Sequence, residues 1–159
     1  MSHQPSYFFR PRFPPVFDQY LRANDSEGFR KLLKADPGLV TAGNAHKVAQ
    51  LNKPEFLNAM LEEGIDINCT SSLNFTLLIS AILAGAADTS LFHIRKGADI
   101  HKQFANQRTP IFWVASEGVM SVLMELIDRN VNVNVRDQNN FTPLHCAAME
   151  GKIKAVKAL

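Results

Sequence analysis

Apolar residues fall in short blocks at helical spacing, and the blocks themselves recur. Val119, Val122, Leu123, Leu126 and Ile127 line one face of a predicted helix, and Ile153, Val156 and Leu159 line one face of another. Nearer the start, Val16 to Ala23 reads as a helix, and Phe29, Leu32 and Leu33 give the next one an apolar face. Asn24 to Glu27 has the form of a capping box, with Asn24 as the cap and Glu27 three residues on. Asp36-Pro37-Gly38 marks a turn. Thr41 to Leu51 and Pro54 to Glu63 then predict a further helical pair, with Pro54 at the first position, where no N–H partner is needed.

A second, longer period overlies the helical one. Thr142-Pro143-Leu144-His145-Cys146-Ala147-Ala148-Met149-Glu150-Gly151 follows Thr109-Pro110-Ile111-Phe112-Trp113-Val114-Ala115-Ser116-Glu117-Gly118 by 33 residues, and that block follows Thr76 to Gly85 by the same step. Gly64, Gly97 and Asn130 keep the register, as do Asn68, His101 and Asn134. Leu57, Leu123 and Val156 form another column, which Ser90 interrupts and for which Leu91 is the substitute. Such a period means stacked units, none of which can bury its apolar face alone.

At these residues the sequence resembles the ankyrin repeat family, whose pattern is a turn, T-P-L-H-x-A-A-x-x-G, an apolar helix, then L-L-x-x-G-A-x-x-N. Residues 137–159 match closely, 102–134 well, and 69–101 moderately, with Leu77 in place of Pro. Residues 41–68 match only in their second half, at Leu57, Met60-Leu61, Gly64 and Asn68. The resemblance implies an all-α solenoid of stacked antiparallel helix pairs with β-turn or hairpin fingers. The organisation expected is a Pro/aromatic segment over 1–15, a degenerate capping helix pair over 16–40, and repeats at 41–68 (degenerate), 69–101, 102–134 and 135–159 (incomplete).

Local chemistry agrees with that pattern. Thr142 can cap a helix, Pro143 suits the first helical position, and Ala147 and Ala148 let neighbouring helices approach. Gly151 ends the first helix in a tight turn. Asn74, Gln107 and Asn140 stand where the family uses a left-handed Gly. Asn tolerates that conformation and Gln does not, so the middle finger is expected to be strained or reshaped.

Composition narrows the function classes. The 159 residues are 46% hydrophobic and 20% charged, which excludes bulk disorder. The net charge of +2 and the dispersed basic residues argue against nucleic-acid binding; Lys152, Lys154 and Lys157 read as a solvated face, and Arg95-Lys96 as a pair at a helix end. No apolar run reaches membrane-spanning length, Leu77 to Ala87 being the nearest. Met1 to Arg12 lacks the apolar core of a secretory signal. Two isolated cysteines, Cys69 and Cys146, fit a reducing compartment, so an intracellular location is expected, namely cytoplasm, or host cytoplasm for an injected effector. Pro5, Pro11, Pro14 and Pro15, with Tyr7, Phe8, Phe9 and Phe13, form an extended aromatic lead-in, read either as a tail or as a docking peptide.

No catalytic, cofactor or metal constellation emerges. His145 is assigned the family's structural role, bonding backbone between repeats. Cys146 beside it points about 100 degrees away on the helix, so the two do not form a nucleophile pair. His3, His46, His93 and His101 show no ligand spacing.

The resemblance instead implies a protein-interaction module that binds a protein partner on its concave face. The contact residues expected are Leu73, Phe75, Asn106, Arg108, Trp113, Glu117, Asn139, Phe141, Met149 and Glu150, with Ser72, Leu83, Ala84, Ala105, Ser116 and Gln138 beside them and Lys47 and Gln50 further off. Phe75, Arg108 and Phe141 share a column and would make a hot-spot row if solvent-facing; the alternative is that each Phe folds onto its own finger. Trp113 is read as core or contact, with burial favoured. The family also implies hydroxylation of a hairpin Asn with Leu eight residues before it, which Asn134 with Leu126 fits and Asn68 with Met60 fits less well. The last repeat stops inside its second helix, so the chain is expected to be the N-terminal part of a larger protein. A rival reading makes it the targeting arm of a multidomain enzyme or of an effector injected by intracellular bacteria. A monomer is expected.

Overall fold

The computed structural model describes residues 14–159, so the aromatic lead-in, apart from Pro14 and Pro15, lies outside the described residues. Among the described residues ten α-helices follow one another: α1 (Pro15–Ala23), α2 (Ser26–Ala35), α3 (Ala42–Ala49), α4 (Pro54–Glu62), α5 (Leu77–Leu83), α6 (Ala87–Arg95), α7 (Pro110–Glu117), α8 (Met120–Asp128), α9 (Pro143–Met149) and α10 (Ile153–Ala158). Among the described residues there is no strand, only an isolated bridge between Thr70 and Thr76 in one finger. The all-α solenoid is therefore the observed architecture.

Side-chain oxygens and prolines open several of the helices. The Thr41 hydroxyl accepts from the Asn44 N–H at 3.2 Å, and that of Thr76 from the Ile79 N–H at 3.4 Å. Proline occupies the first turn of α1, α4, α7 and α9. Gly118 closes α7 with φ of 71°, a conformation that a side chain would strain. One cap is corrected: Asp25, not Asn24, caps α2, accepting from the Gly28 N–H at 2.8 Å. Asn24 instead ends α1 in the left-handed region at φ of 54°, which leaves the capping position to its neighbour.

First helices stack on first helices, α3 on α5 on α7 on α9, and second helices on second, α2 on α4 on α6 on α8 on α10. The apolar interior divides at α5. One cluster holds Phe17, Phe29, Leu33, Phe56, Leu57, Met60 and Leu77, with Phe29 4.9 Å from Phe17 and 5.1 Å from Phe56 between ring centres. The other begins at Leu78 and Ile79 and runs through Ile94, Ile111, Phe112, Leu123 and Leu126. Ser90 keeps its place in the buried column, donating its hydroxyl to the Ala86 carbonyl at 2.8 Å, while Leu91 is only half-buried and does not substitute for it. Ile153, expected on the apolar face of the last helix, stands 68% exposed; Ala155 is the buried residue of α10. Val156 and Leu159 are half-buried, so only part of the expected apolar face packs inward.

Candidate protein-binding face

The fingers and the ends of the first helices form one surface. How each finger closes depends on the residue that opens it. Asp137 accepts from the N–H groups of Asn139 at 2.9 Å and Phe141 at 3.0 Å. Arg108, from the preceding finger, grips the same carboxylate with Nε and Nη2, each at 2.9 Å. Burial raises the Asp137 carboxyl, but the Arg108 guanidinium and the two amides outweigh it and hold it below its ordinary value. Ser71, in the same column, accepts from the Phe75 N–H at 3.3 Å. Phe104 occupies that column in the middle finger and has no side-chain acceptor. That finger closes through backbone alone, Gln107 N–H to Phe104 carbonyl at 3.1 Å, with Asn106 and Gln107 both left-handed at φ of 65° and 62°. The reshaping expected at Gln107 is thus present, extended to its neighbour. Gln138 then ties the two fingers together, its side-chain amide donating to Asn106 Oδ1 at 2.8 Å and its N–H to the Asn106 carbonyl at 3.0 Å.

The expected Phe75–Arg108–Phe141 row is corrected: it does not face solvent freely. Phe75 is half-buried, its ring centre 5.6 Å from Trp113 and 6.2 Å from Phe104, so it packs across to the next repeat rather than onto its own finger. Phe141 lies edge-on to His145 at 5.7 Å. Arg108 is held by Asp137 and lies over the Phe112 ring at 5.6 Å. Apolar rings gain more from covering their neighbours than from water, and a guanidinium beside a buried carboxylate cannot leave it unpaired. Trp113 is half-buried with its indole N–H enclosed and without a partner among the described residues.

The exposed positions lie beside that row. Leu73 is 75% exposed at a fingertip, and Met149 is 71% exposed at the end of α9. Leu83 shares the column of Met149 and is also exposed. Asn106, Gln138, Asn139 and Glu150 are exposed around them, and Glu117 is half-buried. Burial pushes the Glu117 carboxyl up; Lys152 opposes this and Glu150 adds to it. Lys47, Gln50 and Ser116 are half-buried, Ser72 and Ala84 exposed, and the side chain of Ala105 lies outside the described residues.

His145 is corrected in detail. Its Nδ1 accepts from the Thr142 N–H at 3.1 Å and the Thr142 hydroxyl at 2.8 Å, so it caps its own helix rather than bonding between repeats. Burial raises the thiols of both Cys69 and Cys146, the opposite of an activated nucleophile. Among the described residues no group of three or more His, Cys, Asp or Glu could hold a metal ion, and no helix is long and apolar enough to cross a membrane. Asn134 is exposed, while Asn68 is engaged, its Oδ1 accepting from the Asp99 N–H of the next hairpin at 2.9 Å. Asp137 and Gln138 as finger linkers were missed in part; a carboxylate two residues before a turn Asn was the available signal.

Comparison with known proteins adds the following. The family model described as ankyrin repeats (three copies) matches residues 78–159. Delta-latroinsectotoxin-Lt1a of Latrodectus tredecimguttatus is 30% identical over 109 residues, 67% of this chain and 9% of that protein. A Rickettsia bellii (strain RML369-C) protein named "Putative ankyrin repeat protein" is 28% identical over 130 residues, 79% of this chain and 49% of its own length. Palmitoyltransferase ZDHHC13 of Homo sapiens is 24% identical over 138 residues, 84% of this chain and 22% of its own. The chain spans less than half the length of each of these relatives.

Proposed function

Because the chain belongs to the ankyrin-repeat family, whose repeats are a protein–protein interaction module and typically not catalytic, we propose that it binds a protein partner across the concave face of its fingers and first helices. The observation that carries this reading is the exposure of Leu73 and Met149, large apolar side chains that stand out beside polar turn residues. Leu73, Met149 and Leu83 supply the apolar anchors, with Asn106, Asn139 and Glu150 as the polar rim. Phe75, Arg108, Trp113 and Phe141 form the platform beneath and meet the partner only at their exposed edges, with Glu117 beside them. The module acts as a monomer inside cells, without nucleic acid, cofactor or metal. Asn134 is the position open to hydroxylation, which a gain of one oxygen atom on its peptide would reveal.

Changing Leu73 and Met149 together to Ser tests the reading. Both are exposed, so melting should stay within a few degrees of the unchanged protein, while capture of the native partner from source cells is lost. Undiminished capture would contradict it.

A second reading has its own support in the lengths of the relatives, of which this chain matches only a part. In it the repeats are the N-terminal recognition arm of a larger enzyme or injected effector, whose activity lies elsewhere. The mass of the native polypeptide in its source cell separates the two.

A further inference from the structure

Two imidazoles are buried at the junction between the α3/α4 and α5/α6 helix pairs. His46 on α3 is 6% exposed and His93 on α6 is fully buried. Counted from Thr41, Thr76, Thr109 and Thr142, the column of His46 holds Ala81, Val114 and Ala147; at the fixed step of 33, the column of His93 holds Met60, Leu126 and Leu159. The stack therefore needs no polar group at either place, and this junction alone carries two. The Nδ1 of His46 meets the Ser80 hydroxyl of α5 at 2.8 Å, across the junction. The Nδ1 of His93 donates to the Thr89 carbonyl at 2.9 Å, which leaves its Nε2 without a proton. Neither Nε2 has a hydrogen-bond partner among the described residues.

The surroundings disfavour charge on both rings. Burial holds His93 down to about 4, with the Thr89 carbonyl opposing and His46 adding to the effect. Burial also lowers His46, against the backbone of Cys69. No carboxylate acts on either ring. Helix α5, packed against both, carries no charged residue. On α4, Glu62 bonds to Arg30, and Glu55 sits in the first turn. On α8, Glu125 pairs with Arg129 and Arg95. On α6 itself Asp88 bonds to Asn52, and on α3 Lys47 is half-buried. Cys69 beside His46 is a neutral thiol, raised by burial and by the Asp66 carboxylate, and Asp66 is not among the groups acting on either ring.

We propose that the buried His46–Ser80–His93 cluster makes this junction an acid-sensitive seam, at which α3 to α6 open as the pH falls below neutral while α7 to α9 stay closed. An opened junction takes up protons at the ordinary histidine value near 6.5; the closed one refuses them, for His93 until about 4. Opening is therefore favoured as pH falls through that window, by up to about tenfold per pH unit for each imidazole. The carboxyls of the Arg108–Asp137 and Arg30–Glu62 pairs are held below their ordinary values, so acid weakens these pairs later than it would an ordinary carboxylate.

Hydrogen exchange on the full chain at about pH 7 and about pH 5, corrected for intrinsic chemistry, tests the seam. Protection in α3, α5 and α6 should fall at least about tenfold at the lower pH, with α7 to α9 unchanged. The double change His46→Ala and His93→Leu, using residues found in those columns, should remove the response, and His101→Gln, at an exposed site, should keep it. Should the double variant not fold, the imidazole resonances of the unchanged protein decide the matter. A His93 ring still neutral at about pH 5 supports the seam, and one titrating near 6.5 overturns it. Equal protection at both pH values, or an acid response surviving in the double variant, also overturns it.

Discussion

Ser71, Phe104 and Asp137 occupy one column, and the difference between them decides how each finger closes. Where an oxygen is available, it collects an amide four residues on and a single left-handed Asn suffices. Phe104 offers no oxygen, so two successive residues turn left-handed, and one of them is Gln107. A glutamine pays conformational strain there that glycine would not. Gln107→Gly is expected to stabilise the protein by about 0.5–1 kcal/mol in chemical denaturation, since the native φ of 62° suits glycine. Equal or lower stability would mean that the Gln side chain holds the finger by contacts that outweigh the strain. The same scale explains why the expected binding row failed as a solvent-facing feature. Column equivalence says which residues lie in line, but not that Phe75 can reach Trp113 or that Arg108 faces Asp137. Those depend on the separation of neighbouring fingers, which one sequence does not carry.

At the scale of elements, the second helices from α4 onward begin at residues that cannot cap, Lys53, Ala86, Val119 and Lys152. For α6 the deficit is met from the preceding pair. Asn52 Oδ1 accepts from the N–H groups of Asp88 at 2.7 Å and Thr89 at 3.3 Å, and the Thr89 hydroxyl donates to the Leu51 carbonyl at 2.8 Å. Asn52→Ala should cost about 1 kcal/mol, the usual value of a lost cap, read as a lower denaturation midpoint with an unchanged slope. A change within error would show the amide bonds to be replaceable by water. This loop also explains what the sequence concealed. Thr41 to Thr76 is two residues longer than Thr76 to Thr109, and both extra residues fall before the start of α4. A fixed step of 33 therefore loses the first half of that repeat while keeping its second half, where Leu57, Gly64 and Asn68 return to register. From Thr76 onward the Thr positions, turn glycines and apolar columns are periodic, and Pro143, read as a first helical position, does begin α9. Asn24 and Asp25 are both good caps, so choosing between them required the backbone.

On the scale of the whole molecule, the helix pairs make one continuous stack whose two apolar clusters meet at α5. Each pair packs chiefly on its neighbours, which sets the fingers in a row along the stack. That arrangement suits recognition by rigid display, and the raised thiols and capped His145 leave no activated nucleophile among the described residues. The central claim is that recognition uses the finger and first-helix side. A photo-crosslinking side chain placed singly at Leu73 and Met149, and for comparison at Lys31 on α2 and Lys154 on α10, tests it most directly in source cells. All four positions are exposed, so none should disturb folding. The account predicts one shared protein adduct from positions 73 and 149 and none from 31 and 154. The same adduct from 31 or 154, with none from 73 and 149, would contradict it.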